Sequence, residues 1–98
     1  MSSVSLRVED RLDRSGNWTP WRARIVLLLE EYELWEIVEI AVLVPTDPVS
    51  YAAFKKRNVK AKRVILDSVK EHIILHVVGR DYAFQMWEYL SNLYQSSN

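Results

Sequence analysis

The chain has no cysteine. Disulfides, thiolate zinc sites and cysteine nucleophiles are excluded together, which fits a reducing compartment. Glycine occurs twice, at Gly16 and Gly79, and proline three times. Two isolated glycines cannot form a phosphate-cradling loop of the Walker or Rossmann kind. So few turn formers suit long helices better than many short strands. An excess of charge is also missing: 13 basic residues balance 13 acidic ones. A domain whose main work is gripping nucleic acid usually carries surplus positive charge. The longest apolar stretches run to about five residues, against the roughly 20 of a membrane span, so no membrane partner is expected. The first residues lack the basic-then-apolar leader of a secretory signal.

What is present reads as one globular domain. The 98 residues are 49% apolar and 27% charged, ordinary for a folded chain. A domain of this size buries roughly 60–65% of the surface its unfolded form exposes. That allows one core and no large internal cavity. Residues 1–17 are polar with scattered Val4, Leu6, Val8 and Leu12, and read as an amino-terminal arm. The alternation of Val4, Leu6 and Val8 also suits a short strand. Residues 18–95 form the expected helical lobe, and 96–98 a frayed tail.

Start and stop signals divide the lobe into helices. Thr19 is placed to act as N-cap, with Pro20 at the first helical position. Trp21, Ile25, Leu28, Leu29 and Tyr32 then recur at helical spacing. A short second helix is expected around Leu34, Trp35, Ile37 and Val38. The run from Ile40 to Val44 suits an extension of that helix, an extended piece or a packed loop. Asp47-Pro48 repeats the cap-then-proline signal for a third helix with an apolar stripe of Tyr51, Phe54, Ala61 and Ile65, interrupted by Asn58. Ser68-Val69-Lys70-Glu71 matches a capping box. It opens a fourth helix through Val69, Ile73 and Val77, with Gly79 as its stop. Asp81 would cap a last helix bearing Ala83, Met86, Trp87, Leu90 and Tyr94. The fold expected is all-α, a single small bundle of about five helices. Its core is Trp21, Ile25, Leu28, Trp35, Phe54, Ala61, Ile65, Ile73, Val77, Trp87, Leu90 and Tyr94, with tryptophans of the first and last helices packed together. The tryptophans read as core more than as a ligand platform, with Trp18, ahead of the first helix, open to lying buried or half exposed.

Several of these pieces occur in an order that resembles the Gag polyprotein of copia-type LTR retrotransposons. Leu12-Asp13 followed by Asn17-Trp18 and Trp21 is similar to the family's opening. Leu34-Trp35-Glu36-Ile37-Val38 resembles its leucine-tryptophan-acidic-aliphatic-valine step. Ala61-Lys62-Arg63-Val64-Ile65-Leu66 resembles its alanine-rich segment, and Ala83, Trp87, Leu90 and Tyr94 its last helix. The likeness covers about residues 12–95. It departs at Gly16, which directly precedes Asn17, and over Ile40–Asp47, which has no clear counterpart. The resemblance implies a helical capsid lobe, related in fold to the amino-terminal half of retroviral capsid proteins. Such a lobe self-associates into cytoplasmic virus-like particles around the element's RNA. Family members continue into a second lobe and often a Cys/His zinc knuckle. Neither is present here, so the chain is expected to be a piece of a longer polyprotein, with RNA bound mainly by regions outside it.

The candidate chemistry is sparse. His72 and His76 share a helix face at metal-binding spacing, but no glutamate follows the first and no third ligand is evident. Two surface or half-buried histidines are the simpler reading. No nucleophile elbow or close carboxylate pair occurs, so neither catalysis nor a cofactor is expected. Six basic residues fall between Lys55 and Arg63 with no acid among them. Lys56, Lys60 and Arg63 align on a helix, away from the apolar stripe. A solvated face is the simpler reading; contact with RNA phosphate or an acidic neighbour is the functional one. Glu30, Glu31, Glu33, Glu36 and Glu39 form an acidic stretch with no base until Lys55. Segregated charge of this kind suits head-to-tail contact between copies, through Glu30, Glu33 and Glu36 on one side and Lys56, Lys60 and Arg63 on the other. A domesticated peptide-binding adaptor, with its groove between the first, second and last helices, and a small RNA-binding module are the alternatives.

Overall fold

In the computed structural model, residues 8–95 are described. Val4, Leu6 and the tail 96–98 lie outside them. The first α-helix, α1, spans Trp18–Glu31. It begins before the Thr19-Pro20 signal, so Pro20 stands third in the helix. The position is still free of cost, because the first four N–H groups of a helix have no partner within it. Asn17 occupies the N-cap but turns its side chain backwards. Its Oδ1 accepts from the amides of Asp13 and Arg14 at 3.1 and 3.2 Å, and its Nδ2 donates to the Arg11 carbonyl at 2.9 Å. The amide group thus shapes the approach to the helix instead of its first turn.

The other end of α1 closes by a device that the sequence does not advertise. Leu34 N–H donates to the Leu29 carbonyl and Glu33 N–H to that of Glu30. This is the Schellman pattern, with its usual apolar contact supplied by buried Leu29 and Leu34. The residue that must be left-handed is Glu33, at φ 61°, where glycine is the common choice. The chain then makes a single 3-10 turn at Trp35–Ile37, not the expected second helix. Leu34, Ile37 and Val38 are buried within these five residues and Glu36 is exposed, so the apolar spacing is kept although only one turn forms. Residues 38–47 are irregular. Val42 and Val44 pack against the core, while Ile40 and Leu43 face outward. Of the three readings of this run, the helical extension is excluded: the run is irregular, packed at Val42 and Val44 and exposed at Ile40, Ala41 and Leu43.

The second helix, α2, spans Pro48–Asp67 and starts as expected. Asp47 Oδ2 accepts from Ser50 N–H at 2.9 Å, and this bond holds the carboxyl below its ordinary pKa of 3.8. Phe54, Asn58, Ala61 and Ile65 form its buried face. Tyr51, expected on that stripe, is exposed. Ser68 terminates α2 instead of opening the next helix. Its hydroxyl donates to the Ile65 carbonyl at 2.8 Å, so the capping-box reading fails because this side chain is already committed. Helix α3, Glu71–Val77, follows with Lys70 at its N-cap and no side-chain cap. Gly79 lies just past it, but no glycine is left-handed, so α3 does not end in the expected glycine stop. Helix α4 spans Ala83–Tyr94. Four α-helices and three 3-10 turns therefore make up the regular structure among the described residues.

Part of the arm belongs to the fold. Val8 starts a 3-10 turn, Val8–Asp10, not a strand. Leu12 is fully buried and pairs in parallel with Val69. Leu12 N–H donates to the Ser68 carbonyl and Lys70 N–H to the Leu12 carbonyl, both at 2.9 Å. The same Ser68 carbonyl accepts the indole N–H of Trp21 at 2.7 Å. One buried oxygen thereby ties the arm, α1 and the α2–α3 junction together.

The buried core draws on the arm and all four helices, and its aromatic part lies between α1 and α4. Trp18 packs on Trp21, Trp87 and Tyr94, with ring centroids 5.3, 6.0 and 6.0 Å away. Trp21 and Trp87 are 5.6 Å apart, and Trp35 meets Trp87 edge-on at 5.2 Å. Such pairs add about 0.5–1.5 kcal/mol each beyond their area burial. Trp18 is only 4% exposed, the buried one of its two readings, because starting α1 at Trp18 turns it inward. Of the expected core, Trp35, Tyr94 and Leu28 are half-buried and the rest are buried.

Candidate assembly surface

The exposed face of α2 carries Lys56, Lys60 and Arg63, as the helical spacing predicts. The acidic stretch does not lie apart from it. Arg57, on the same helix, donates through Nη2 to the Glu33 carbonyl and to Glu36 Oε2, the latter at 2.7 Å. The left-handed turn at Glu33 folds the acidic segment back beside α2, so the two charge blocks touch within one molecule. Counting along the chain cannot show this. The Arg57–Glu36 pair is exposed on both sides and belongs to a class worth about 0–1 kcal/mol. Arg63 is engaged with Asp67 at 3.3 Å. Glu30 and Lys56 are exposed and make no ion pair among the described residues.

Lys60 finds an aromatic partner instead. Its Nζ sits 4.4 Å from the Tyr32 ring centroid, within the range of a cation–π contact. An aromatic does therefore stand beside the basic row, supplied by the end of α1. Tyr32, Val59 and Val64 floor a shallow hollow of about 410 Å³ rimmed by Lys56, Lys60 and Arg63. Sequence reasoning missed it because Tyr32 reads as part of the α1 apolar stripe and is 27 residues from Val59.

A second hollow of about 410 Å³ lies against α4, lined by Arg22, Trp35, Ile40, Phe84 and Trp87. The Arg22 guanidinium is 5.9 Å from the centroids of both tryptophans. This is the groove an adaptor would use, but the exposed Trp18 that would favour that reading is absent. The two histidines diverge. His72 Nε2 is hydrogen-bonded to the Asp13 carbonyl at 2.8 Å, whereas His76 stacks on Tyr89. No group of three or more His, Asp or Glu side chains is placed to hold a metal ion among the described residues. Burial, and then the charges of Tyr89 and Asp13, raise the Tyr94 hydroxyl above its ordinary pKa. No helix among the described residues is long and apolar enough to cross a membrane.

Asn58 has the least anticipated role. Buried on α2, it donates from Nδ2 to the Asp81 carbonyl at 3.0 Å and accepts the Ala83 N–H at Oδ1, 2.8 Å. It caps α4 from a different helix. Gln85 Oε1 takes the Asp81 and Tyr82 amides. Asp81 itself is not the cap, because α4 starts one residue later with Tyr82 at its N-cap, and the Ala83 amide is taken by Asn58. An asparagine inside an apolar stripe was the available signal.

These features define a small α-helical domain whose distinctive chemistry lies on its outside. The chain belongs to the gag-polypeptide family of LTR copia-type elements, whose family model matches residues 25–98. No curated protein and no solved structure matches the chain. Gag polypeptides are structural proteins, and the domain falls in that class.

Proposed function

We propose that this domain is the amino-terminal capsid lobe of a copia-type retrotransposon, a building unit of virus-like particles that enclose the element's RNA in the host cytoplasm. The family match over residues 25–98 carries the reading. The all-helical fold supports it, as do the large apolar side chains left on the outside, among them Leu27, Leu43, Val49 and Leu75. Assembly proceeds through many weak, repeated contacts. Each lobe–lobe interface buries less than roughly 1,200 Å², the range of transient encounters. Linked copies then gain avidity, so a stable shell needs no single tight interface. Balanced charge supports RNA capture mainly by regions outside this chain.

Electron microscopy of the full-length gag polypeptide expressed alone tests this. Closed shells containing RNA are the expected result. A protein that stays dispersed under all assembly conditions contradicts the reading.

A further inference from the structure

We infer that the loop 38–47 of one copy docks, through Leu43, into the Tyr32–Val59–Val64 hollow of a second copy. The inference rests on the capsid reading and names its contact. Leu43 is 95% exposed, the most exposed large apolar side chain among the described residues, and Ile40 beside it is 67% exposed. The flanking segments Glu39–Ile40 and Pro45–Asp47 present two exposed carboxylates, Glu39 and Asp47. No base stands between Arg24 and Lys55. The loop is thus an apolar tip on an acidic mount.

The hollow has the complementary character. Its floor is apolar, with Val59 more than half exposed, and its rim is basic. Lys56 makes no ion pair among the described residues, and Lys60 rests on an aromatic ring instead of a carboxylate. Complementary charge of this kind sets register and encounter rate, while the apolar tip supplies buried area. No residue lining the hollow comes from the loop. One molecule therefore offers both surfaces at once, and the contact is head-to-tail, closing into rings or extending into arrays. RNA fits the hollow less well. The chain carries no surplus positive charge, and the Tyr32 face a base would stack on is covered by Lys60.

Two exposed-site variants, Leu43→Asp and Val59→Glu, test the pairing by light scattering of the chain at low salt and high concentration. Both should melt within a few degrees of the parent. The parent's mass should rise with concentration, and each variant alone should stay monomeric. The equimolar mixture should stop at a dimer, because Leu43→Asp keeps the hollow and Val59→Glu keeps the loop. Either variant associating like the parent overturns the inference but leaves the capsid reading standing, since another surface then serves. A mixture that stays monomeric overturns the pairing in the same way. If Val59→Glu loses binding to a single-stranded RNA oligomer while associating normally, the hollow serves RNA and the inference is wrong. A parent chain that never associates overturns both the inference and self-association of this lobe.

Discussion

The indole N–H of Trp21 donates to the main-chain carbonyl of Ser68 at 2.7 Å. That oxygen also receives the Leu12 amide, so a single α1 side chain fixes where the arm crosses the α2–α3 junction. Trp21→Phe keeps an aromatic ring in the slot but removes the donor and leaves space. The cost should be about 2–4 kcal/mol, lowering Tm by at least about 10 °C for a domain of this size. Thermal unfolding by circular dichroism measures it. A loss under about 1 kcal/mol would show that the arm is held by other means.

Glu33 sits left-handed at φ 61° in a Schellman turn. A side chain there costs about 1–2 kcal/mol, and glycine gives part of that back to unfolded-chain entropy. Glu33→Gly should therefore stabilise the domain by about 0.5–1 kcal/mol, because Arg57 bonds the Glu33 carbonyl and not its side chain. An unchanged or lower Tm would contradict the assignment.

Asn58→Ala should strip the cap from α4 and leave the Ala83 amide and the Asp81 carbonyl without partners. The expected loss is about 2–3 kcal/mol. Hydrogen exchange at the Ala83 amide should accelerate well beyond that of amides in the middle of α1. Uniform acceleration throughout the chain would place the effect elsewhere.

Asp47→Ala should show a pH-dependent cost. The Ser50 amide bonds the ionised carboxylate only in the folded chain, which lowers the folded pKa below 3.8. A lowered carboxylate pKa contributes stability above the unfolded value, and that stability is lost as pH falls through the folded value. The Tm gap between parent and variant should hold from neutral pH to about 4 and close below it. A gap that widens in acid would contradict the cap.

How much of this was legible in the sequence follows from the range of each interaction. The start of α2 was readable because Asp47, Pro48 and Ser50 are local and act only on each other. The meeting of Trp21 with Trp87 was readable because apolar helical spacing forces both rings inward. Ser68 misled because its hydroxyl had two local uses, and it closes α2 on the Ile65 carbonyl instead of opening α3. Asn58 and Arg57 were opaque because their partners lie 23 to 25 and 21 to 24 residues away. The hollow joins Tyr32 at the end of α1 to Val59 and Val64 on α2, a pairing of distant residues that local spacing does not encode.

The proposed capsid role requires this domain to meet copies of itself. Sedimentation velocity of the chain from nanomolar to millimolar concentration tests it most directly. Monomer at the dilute end, with a sedimentation coefficient that climbs steadily and passes the dimer at the concentrated end, is the predicted result. A single monomeric boundary at every concentration, or a tight dimer already complete at nanomolar levels, would contradict it.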